Sequence, residues 1–434
     1  MCRWPIFLIT ILIALLLTFP VLALGQDGPE DHSWLIAYCD FPDVDTITST
    51  KPISWYTEYA IPSLNAYYKA VTYGRWTLTN TRIITDSRFT VTYPYTAYFD
   101  NNGRLRQTDL DIDCFKSIED QEDISLYDGL IMVFNKTLHY DWGRPLSGSY
   151  DGVTRTWGLV MIAPPLENLY AMAHEIGHGY NAWHPHIFYD SPWDVVSGGY
   201  RVNELGQWIP THPIAYHKRV MGMMTHTLMI TNVNVLTTTR IERLANPLTR
   251  DYLEISVKIS PTLEYSIEVR DSSSDEYEFG LPTTDGPVAL IHRIENLRNQ
   301  WKPFVLPLGR LRGDDLGRMW SPGEALWTEY FGVRFEESDE SGIYVTIVPT
   351  QDHGLNYDGW AIYDLQGLEV ISTTEMGNYD PIEIDKSLFA LPISEEGGAL
   401  APPSPPSTEG RSSVNKEGVR QDKELPCFFN LIPT

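Results

Sequence analysis

His174-Glu175-Ile176-Gly177-His178-Gly179-Tyr180-Asn181-Ala182-Trp183-His184 is the stretch around which the 434-residue chain is organised. Its first two histidines stand four residues apart. On an α-helix, residues i and i+4 project from one face, a turn apart, so two imidazoles at that spacing reach one metal ion. Glu175 lies about 100° round the helix, near enough to hold a metal-bound water without being a ligand. A third histidine, His184, follows ten residues after His174. Three protein ligands and one open position make a catalytic zinc site. The bland alternative is a buried helix whose histidines are merely hydrogen-bonded. The third histidine at the right offset weighs against it.

The flanking residues suit a helix. Pro164-Pro165 fits a first helical turn. Leu166, Leu169, Ala173, Ile176 and Tyr180 recur at spacings of three and four and give one apolar face. His174 and His178 point away from it, so the helix packs on a core with one side and binds metal with the other. A straight continuation would carry the chain off before residue 184, so it must turn. In the pattern HExxHxxGxxH a left-handed glycine makes that turn. Here the position is Asn181, and asparagine is the non-glycine residue that best tolerates that backbone. His186 is a rival third ligand; the spacing favours His184.

The chain has room for two or three domains. A formal charge of −25 and a pI of about 4.7 argue against nucleic acid, whose phosphates would be repelled. Arg3, the apolar run Ile6 to Leu24, and Ala23-Leu24-Gly25 as a small-x-small cleavage site predict a signal peptide over 1–25. An uncleaved anchor is the alternative reading of that run, and no other stretch could span a membrane. The expected location is extracellular. Cys39, Cys114 and Cys427 remain after the leader; Cys39 with Cys114 is the expected disulfide. Asn135-Lys136-Thr137 is a glycosylation sequon.

Along the chain, Ser33 to Cys39 reads as a strand running into the turn Asp40-Phe41-Pro42-Asp43. Ser54 to Val71 reads as helix, Trp76 to Thr85 as strand and Leu110 to Glu119 as helix. Leu130 to Phe134 is apolar enough for a central strand buried on both faces. Thr156 to Ala163 is a further strand, just before the metal helix. If it lies at the sheet edge above the metal, an extended peptide would pair with it by β-augmentation; the alternative is a fully paired strand. This alternation predicts an α/β sandwich as the first domain, 30–226, closed by a helix over Ile214 to Met224. From 227 the texture changes to short β-prone runs: Tyr252 to Ile259, Tyr265 to Val269, Val288 to Ile294 and Ile343 to Val348. They predict a β-sandwich over 227–350. A short β-rich extension over 351–394 and a disordered Pro/Ser/Gly-rich tail over 395–434 follow.

The metal stretch resembles the metzincin signature of zinc endopeptidases. Over residues 33 to 350 the chain is similar to a narrower group, the secreted metalloproteases of the immune inhibitor A type. The likeness is carried in order by Cys39-Asp40-Phe41-Pro42-Asp43, by Ser63-Leu64-Asn65-Ala66-Tyr67-Tyr68 running on to Tyr73-Gly74-Arg75-Trp76, and by Tyr127-Asp128-Gly129. Ala173 to His184, Pro213-Ile214-Ala215-Tyr216, Glu264 to Arg270, Gly280-Leu281-Pro282, Gly286 to Ile294 and Trp320-Ser321-Pro322-Gly323-Glu324 continue it. The resemblance implies a metzincin-like α/β (α+β) catalytic domain followed by an all-β sandwich domain. It implies zinc held by His174, His178 and His184, where the family's third ligand is often Asp. Trp193-Asp194-Val195-Val196-Ser197-Gly198-Gly199 matches the family's Met-turn, with Val196 where methionine is expected. That methionine forms an apolar floor under the metal, and the shorter, branched valine predicts a looser floor. The few residues between Gly25 and the first strand leave no room for an inhibitory propeptide.

The expected activity is therefore that of a secreted zinc endopeptidase acting on protein or peptide substrates, a monomer with one catalytic zinc. Glu175 is the expected general base. Tyr200 is close enough in sequence to be a transition-state donor, against the blander reading of a packed tyrosine. Surface carboxylates would permit calcium, which the sequence does not show. The alternative function is a catalytically weakened extracellular binding protein that uses the β-sandwich. A zinc hydrolase of other substrates is a third.

Overall fold

A computed structural model describes residues 29–372 apart from 45–50, 139–140, 151–152, 165–166, 185–190, 249–250, 280, 282–285, 298–299, 307–318, 351–360 and 364–368. The expected signal peptide, Pro165 of the expected Pro164-Pro165 helix start, His186, Cys427 and the tail lie outside the described residues. No helix among the described residues is long and apolar enough to cross a membrane.

The front half is built on a mixed sheet. Its strands are β1 (Trp34–Asp40), β2 (Arg82–Ile83), β3 (Phe89–Thr90), β4 (Gly129–Phe134), β5 (Trp142–Tyr150) and β6 (Val153–Ile162). The order is β2-β1-β4-β6-β5, with β3 also on β1. β4 lies parallel between β1 and β6, and every residue of it is buried. Its unbroken apolar run follows from having both faces covered. Ile131 and Val133 enter one core together with Trp34, Ile36, Val160 and Ile162; Leu130, Met132 and Phe134 enter a second with Leu35, Ala37 and Leu159. The first core is roofed by helices α1 (Ile61–Val71) and α3 (Leu169–Gly179), the second by α2 (Gln107–Glu119). A three-residue helix, Ile53–Trp55, and a π-turn, Tyr56–Ala60, run directly into α1. Cys39 on β1 and Cys114 on α2 are joined by a disulfide.

Three expectations need correction. The strand before the metal helix is not an edge: β6 pairs with β4 on one side and with β5, antiparallel, on the other. The edge belongs to β5, whose glycines, proline and serines do not advertise a strand. The strand expected over Trp76 to Thr85 is two separate pieces, Trp76–Thr77 and β2, which pair with Glu30–Asp31 and β1 respectively. The closing helix is shorter than expected, α4 (Ala215–Val220).

A small hairpin, β7 (Tyr200–Val202) and β8 (Trp208–Pro210), precedes α4. The strands that follow are β9 (Thr227–Ile230), β10 (Thr237–Glu242), β11 (Glu254–Ser260), β12 (Leu263–Arg270), β13 (Val288–Leu297) and β14 (Gln300–Leu306). They continue as β15 (Glu324–Trp327), β16 (Phe331–Ser338), β17 (Gly342–Pro349), β18 (Ala361–Tyr363) and β19 (Glu369–Ser372). They form two sheets, β9-β11-β12-β13-β14 and β10-β17-β16-β15-β18-β19. Ile255, Val257, Tyr265, Ile267 and Ile291 of the first share a core with Val333, Phe335, Val345 and Ile347 of the second. The molecule is thus mixed α/β with mostly β content.

Candidate metal centre

The metal helix is α3. Asn168 caps it, its side-chain oxygen accepting the Ala171 N–H at 2.9 Å and satisfying a donor the helix leaves over. The helix therefore begins after Asn168. All 11 of its residues are buried. The amphipathic picture, one apolar side and one polar side, is corrected to a helix enclosed on every side. Glycines admit its neighbours. A Cβ on Gly143 of β5 would stand 2.2 Å from the Glu175 carbonyl, and one on Gly179 would stand 3.1 Å from Gly158 Cα of β6.

Asn181 turns the chain as its residue type predicts. Its φ is +67°, and the Ala182 N–H returns to the Gly177 carbonyl at 3.1 Å. The Asn181 side-chain oxygen accepts from Trp183 Nε1 at 3.0 Å. This reversal brings His184 back over the helix. The Nε2 atoms of His174, His178 and His184 then lie 3.0–3.1 Å apart. Nitrogens bound tetrahedrally at the usual zinc distance stand roughly 3.3 Å apart, so three neutral donors converge at near-ligand separation. Among the described residues this is the group of His, Cys, Asp or Glu placed to hold a metal ion.

The other ring nitrogens set the tautomers. His174 Nδ1 lies 2.7 Å from the Val195 carbonyl and His178 Nδ1 2.7 Å from the Ala182 carbonyl. A carbonyl only accepts, so both Nδ1 atoms carry the proton and both Nε2 lone pairs face inward. Burial, with the neighbouring His178 second, pushes His174 down to about 3. Burial pushes His178 down to about 4, and His184 falls well below its usual value for the same reason, helped by the other two rings. Metal ligation requires such neutral imidazoles. Glu175 is buried, with a carboxylate oxygen 4.0 Å from His174 Nε2.

The segment Trp193 to Gly199 lies under the helix. The Ser197 and Gly199 N–H groups both bond the Asp194 carbonyl at 2.9 Å. The Asp194 carboxylate accepts from the Val196 and Ile214 N–H groups at 3.2 and 3.4 Å and meets His217 Nδ1 at 2.9 Å. Burial pushes its pKa up, but His217 and the hydrogen bonds outweigh that and hold it below the usual range. Val196 is buried, and its Cγ2 is 2.9 Å from where a Cβ on Gly177 would stand. Val196 thus packs directly against the helix at Gly177.

Tyr200 stacks on Trp208 with centroids 4.5 Å apart and lies 4.8 Å from the ring of Tyr170, which itself stands 5.5 Å from His174. Tyr200 and His174 thus share the Tyr170 ring as a neighbour. Tyr170 also donates its hydroxyl proton to the Ser197 carbonyl. Its position one turn before His174 marks it as a residue on the same helical face. His217, which meets the Asp194 carboxylate beneath the helix, carried no signal of its own in the sequence.

No family model matches the chain, and no curated protein matches it. Among solved structures it is similar to wild-type OgpA from Akkermansia muciniphila, at 10% identity over 64% of this chain and 94% of that chain, with a TM-score of 0.26. The reading of the site rests on its own geometry.

Proposed function

We propose that the chain is an exported zinc-dependent endopeptidase of the immune inhibitor A type, with a metzincin-like front domain. One observation carries this: three inward-facing Nε2 atoms 3.0–3.1 Å apart, with a buried glutamate carboxylate 4.0 Å from the first. Zinc held there would lower the pKa of a bound water towards ~7 and polarise the scissile carbonyl. Glu175 takes the proton from the attacking water and returns it to the leaving amine. Its burial beside the ligands keeps that exchange away from bulk solvent. The Val195 and Ala182 carbonyls hold the Nδ1 protons of His174 and His178 and so present the right lone pairs throughout the cycle.

The substrate backbone pairs with β5, which among the described residues is bonded on one side only. That role passes to β5 from the inner strand β6. Tyr200, whose ring packs on Tyr170 beside His174, stays a candidate donor to the transition state. The test is Glu175→Gln. It should keep one equivalent of zinc and lose cleavage of a peptide library, and wild-type cleavage should stop with a chelator. Full turnover by the variant would sink the mechanism.

A further inference from the structure

The metal centre is held from the far half of the chain. Arg270, at the end of β12, is fully buried. Its Nε and Nη2 fork onto the Glu278 carboxylate at 2.8 and 2.6 Å. Its Nη1 donates to Glu268 Oε1 at 3.0 Å and to the Trp193 carbonyl at 2.7 Å. The second oxygen of Glu268 accepts the Ala215 N–H at the start of α4. One guanidinium, clamped between two carboxylates, thus fixes the first residue of the turn beneath the metal helix.

That turn is short and stiff. Asp194 spans it with bonds to Val196, Ile214 and His217. Val195, two residues after Trp193, offers the carbonyl that takes the His174 Nδ1 proton at 2.7 Å. The Trp193 side chain is packed among Val288, Leu290 and Ile294 of β13. A shift of the Trp193 peptide therefore moves the Val195 carbonyl, and with it the orientation of the first ligand.

We propose that Arg270 is a positioning residue for the metal centre, acting through the Trp193 carbonyl on the turn that orients His174. This rests on the zinc reading above. A planar fork is needed because three acceptors must be met at once, which a lysine ammonium cannot do in the same geometry.

The experiment compares Arg270→Lys with Arg219→Lys. Arg219 also bridges α4 to the buried carboxylates Glu254 and Glu264, but among the described residues none of its ion pairs reaches the turn. Zinc affinity is measured by chelator competition on protein shown to be folded by near-ultraviolet circular dichroism. The His174 Nδ1 proton is followed by NMR in the zinc-free protein. Arg270→Lys is expected to weaken zinc about tenfold, the low end for outer-shell partners, and to shift or broaden that proton. Arg219→Lys should leave both near wild type even if it melts as early. Wild-type zinc affinity in Arg270→Lys, or equal zinc loss in the two variants, overturns the proposal. If Arg270→Lys does not fold, Glu278→Gln takes its place. It keeps the shape of the clamp and removes its charge, so it should weaken zinc several-fold; unchanged affinity is then the overturning result. A wild-type protein that binds no zinc at the three histidines refutes the function itself, a different outcome from intact binding in the variants.

Discussion

Val196 is the residue whose meaning changes most between sequence and packing. Beside a methionine expectation it reads as a deficit, a floor with atoms missing. In the fold it is fully buried and meets a helix that presents glycine at 177, with no space for a Cβ there. The compact side chain and the bare helix surface are a matched pair. Restoring methionine should therefore not improve the site. Val196→Met is expected to cost about 1–3 kcal/mol by overpacking and to leave zinc affinity unchanged or weaker. Chemical denaturation and zinc titration measure the two effects, and a variant both more stable and tighter for zinc would contradict the packing argument. At this scale the histidine cluster was legible for a physical reason: helical periodicity puts His174, His178 and Glu175 in fixed relation, and Asn181 supplies a left-handed backbone at +67° that returns His184. Arg270 was not legible, because its contact with Trp193 crosses 77 residues and no local pattern encodes it.

Between elements, the decisive approach is that of β5 to α3. Gly143 lets the strand lie directly on the helix backbone, with a would-be Cβ 2.2 Å from the Glu175 carbonyl and 2.9 Å from His178 Cβ. Backbone cannot rotate away, so Gly143→Ala must part the strand from the metal helix. The expected loss is about 3 kcal/mol, the severe end of overpacking, together with weaker zinc binding. Gly148→Ala on the same strand is the control. Its Cβ would meet only Trp157 at 3.5 Å, and it should stay within about 0.5 kcal/mol of wild type, as surface changes usually do. Equal stability of the two variants would mean that the close approach does not matter. The strand that makes this contact was hidden in the sequence. An apolar run such as Leu130 to Phe134 announces its burial, but Trp142 to Tyr150, with Gly, Pro and Ser, reads as loop. Periodicity reports which faces of a strand are covered and not which strand lies beside it. For that reason the sequence left open whether β6 was an edge or a fully paired strand, and its pairing with β4 and β5 settles it as inner.

At the scale of the whole molecule, the buried titratable groups predict by their signs how stability responds to acid. The histidines are held neutral: His174 is pushed down to about 3 and His178 to about 4, mainly by burial, and His184 also falls far below its usual value. Unfolded, each takes up a proton near pH 6.5. Between pH 6.5 and about 4 the unfolded chain binds more protons than the native one, so stability falls as pH falls through that window. A second loss of the same sign comes lower. Burial pushes Asp275 up, but His212 and Lys218 overcome it and hold it down at about 2, and Asp194 is lowered by His217 against its own burial. Their contribution is present above about pH 3.8 and disappears as pH drops towards 2. Asp141, Glu167 and Glu268 work the other way, since burial raises them and the folded state gains as they are protonated. They soften the slope below neutrality. Lys218, pushed down to about 7 chiefly by burial and then by Arg270, makes stability rise from pH 7 towards 10. The net expectation is a zinc-free protein whose melting temperature is highest on the alkaline side and falls from about pH 6.5 towards 4. Zinc binding should fall over the same interval, because the ligands must be deprotonated. Replacing His178 by Asn should flatten the pH dependence of melting between 6.5 and 4 by removing one of the three protons. Thermal melts at pH 8, 6, 5 and 4 on both proteins check this. A pH dependence of melting between 6.5 and 4 that is the same in the His178→Asn variant as in the parent chain would mean that this imidazole is not held neutral by the fold.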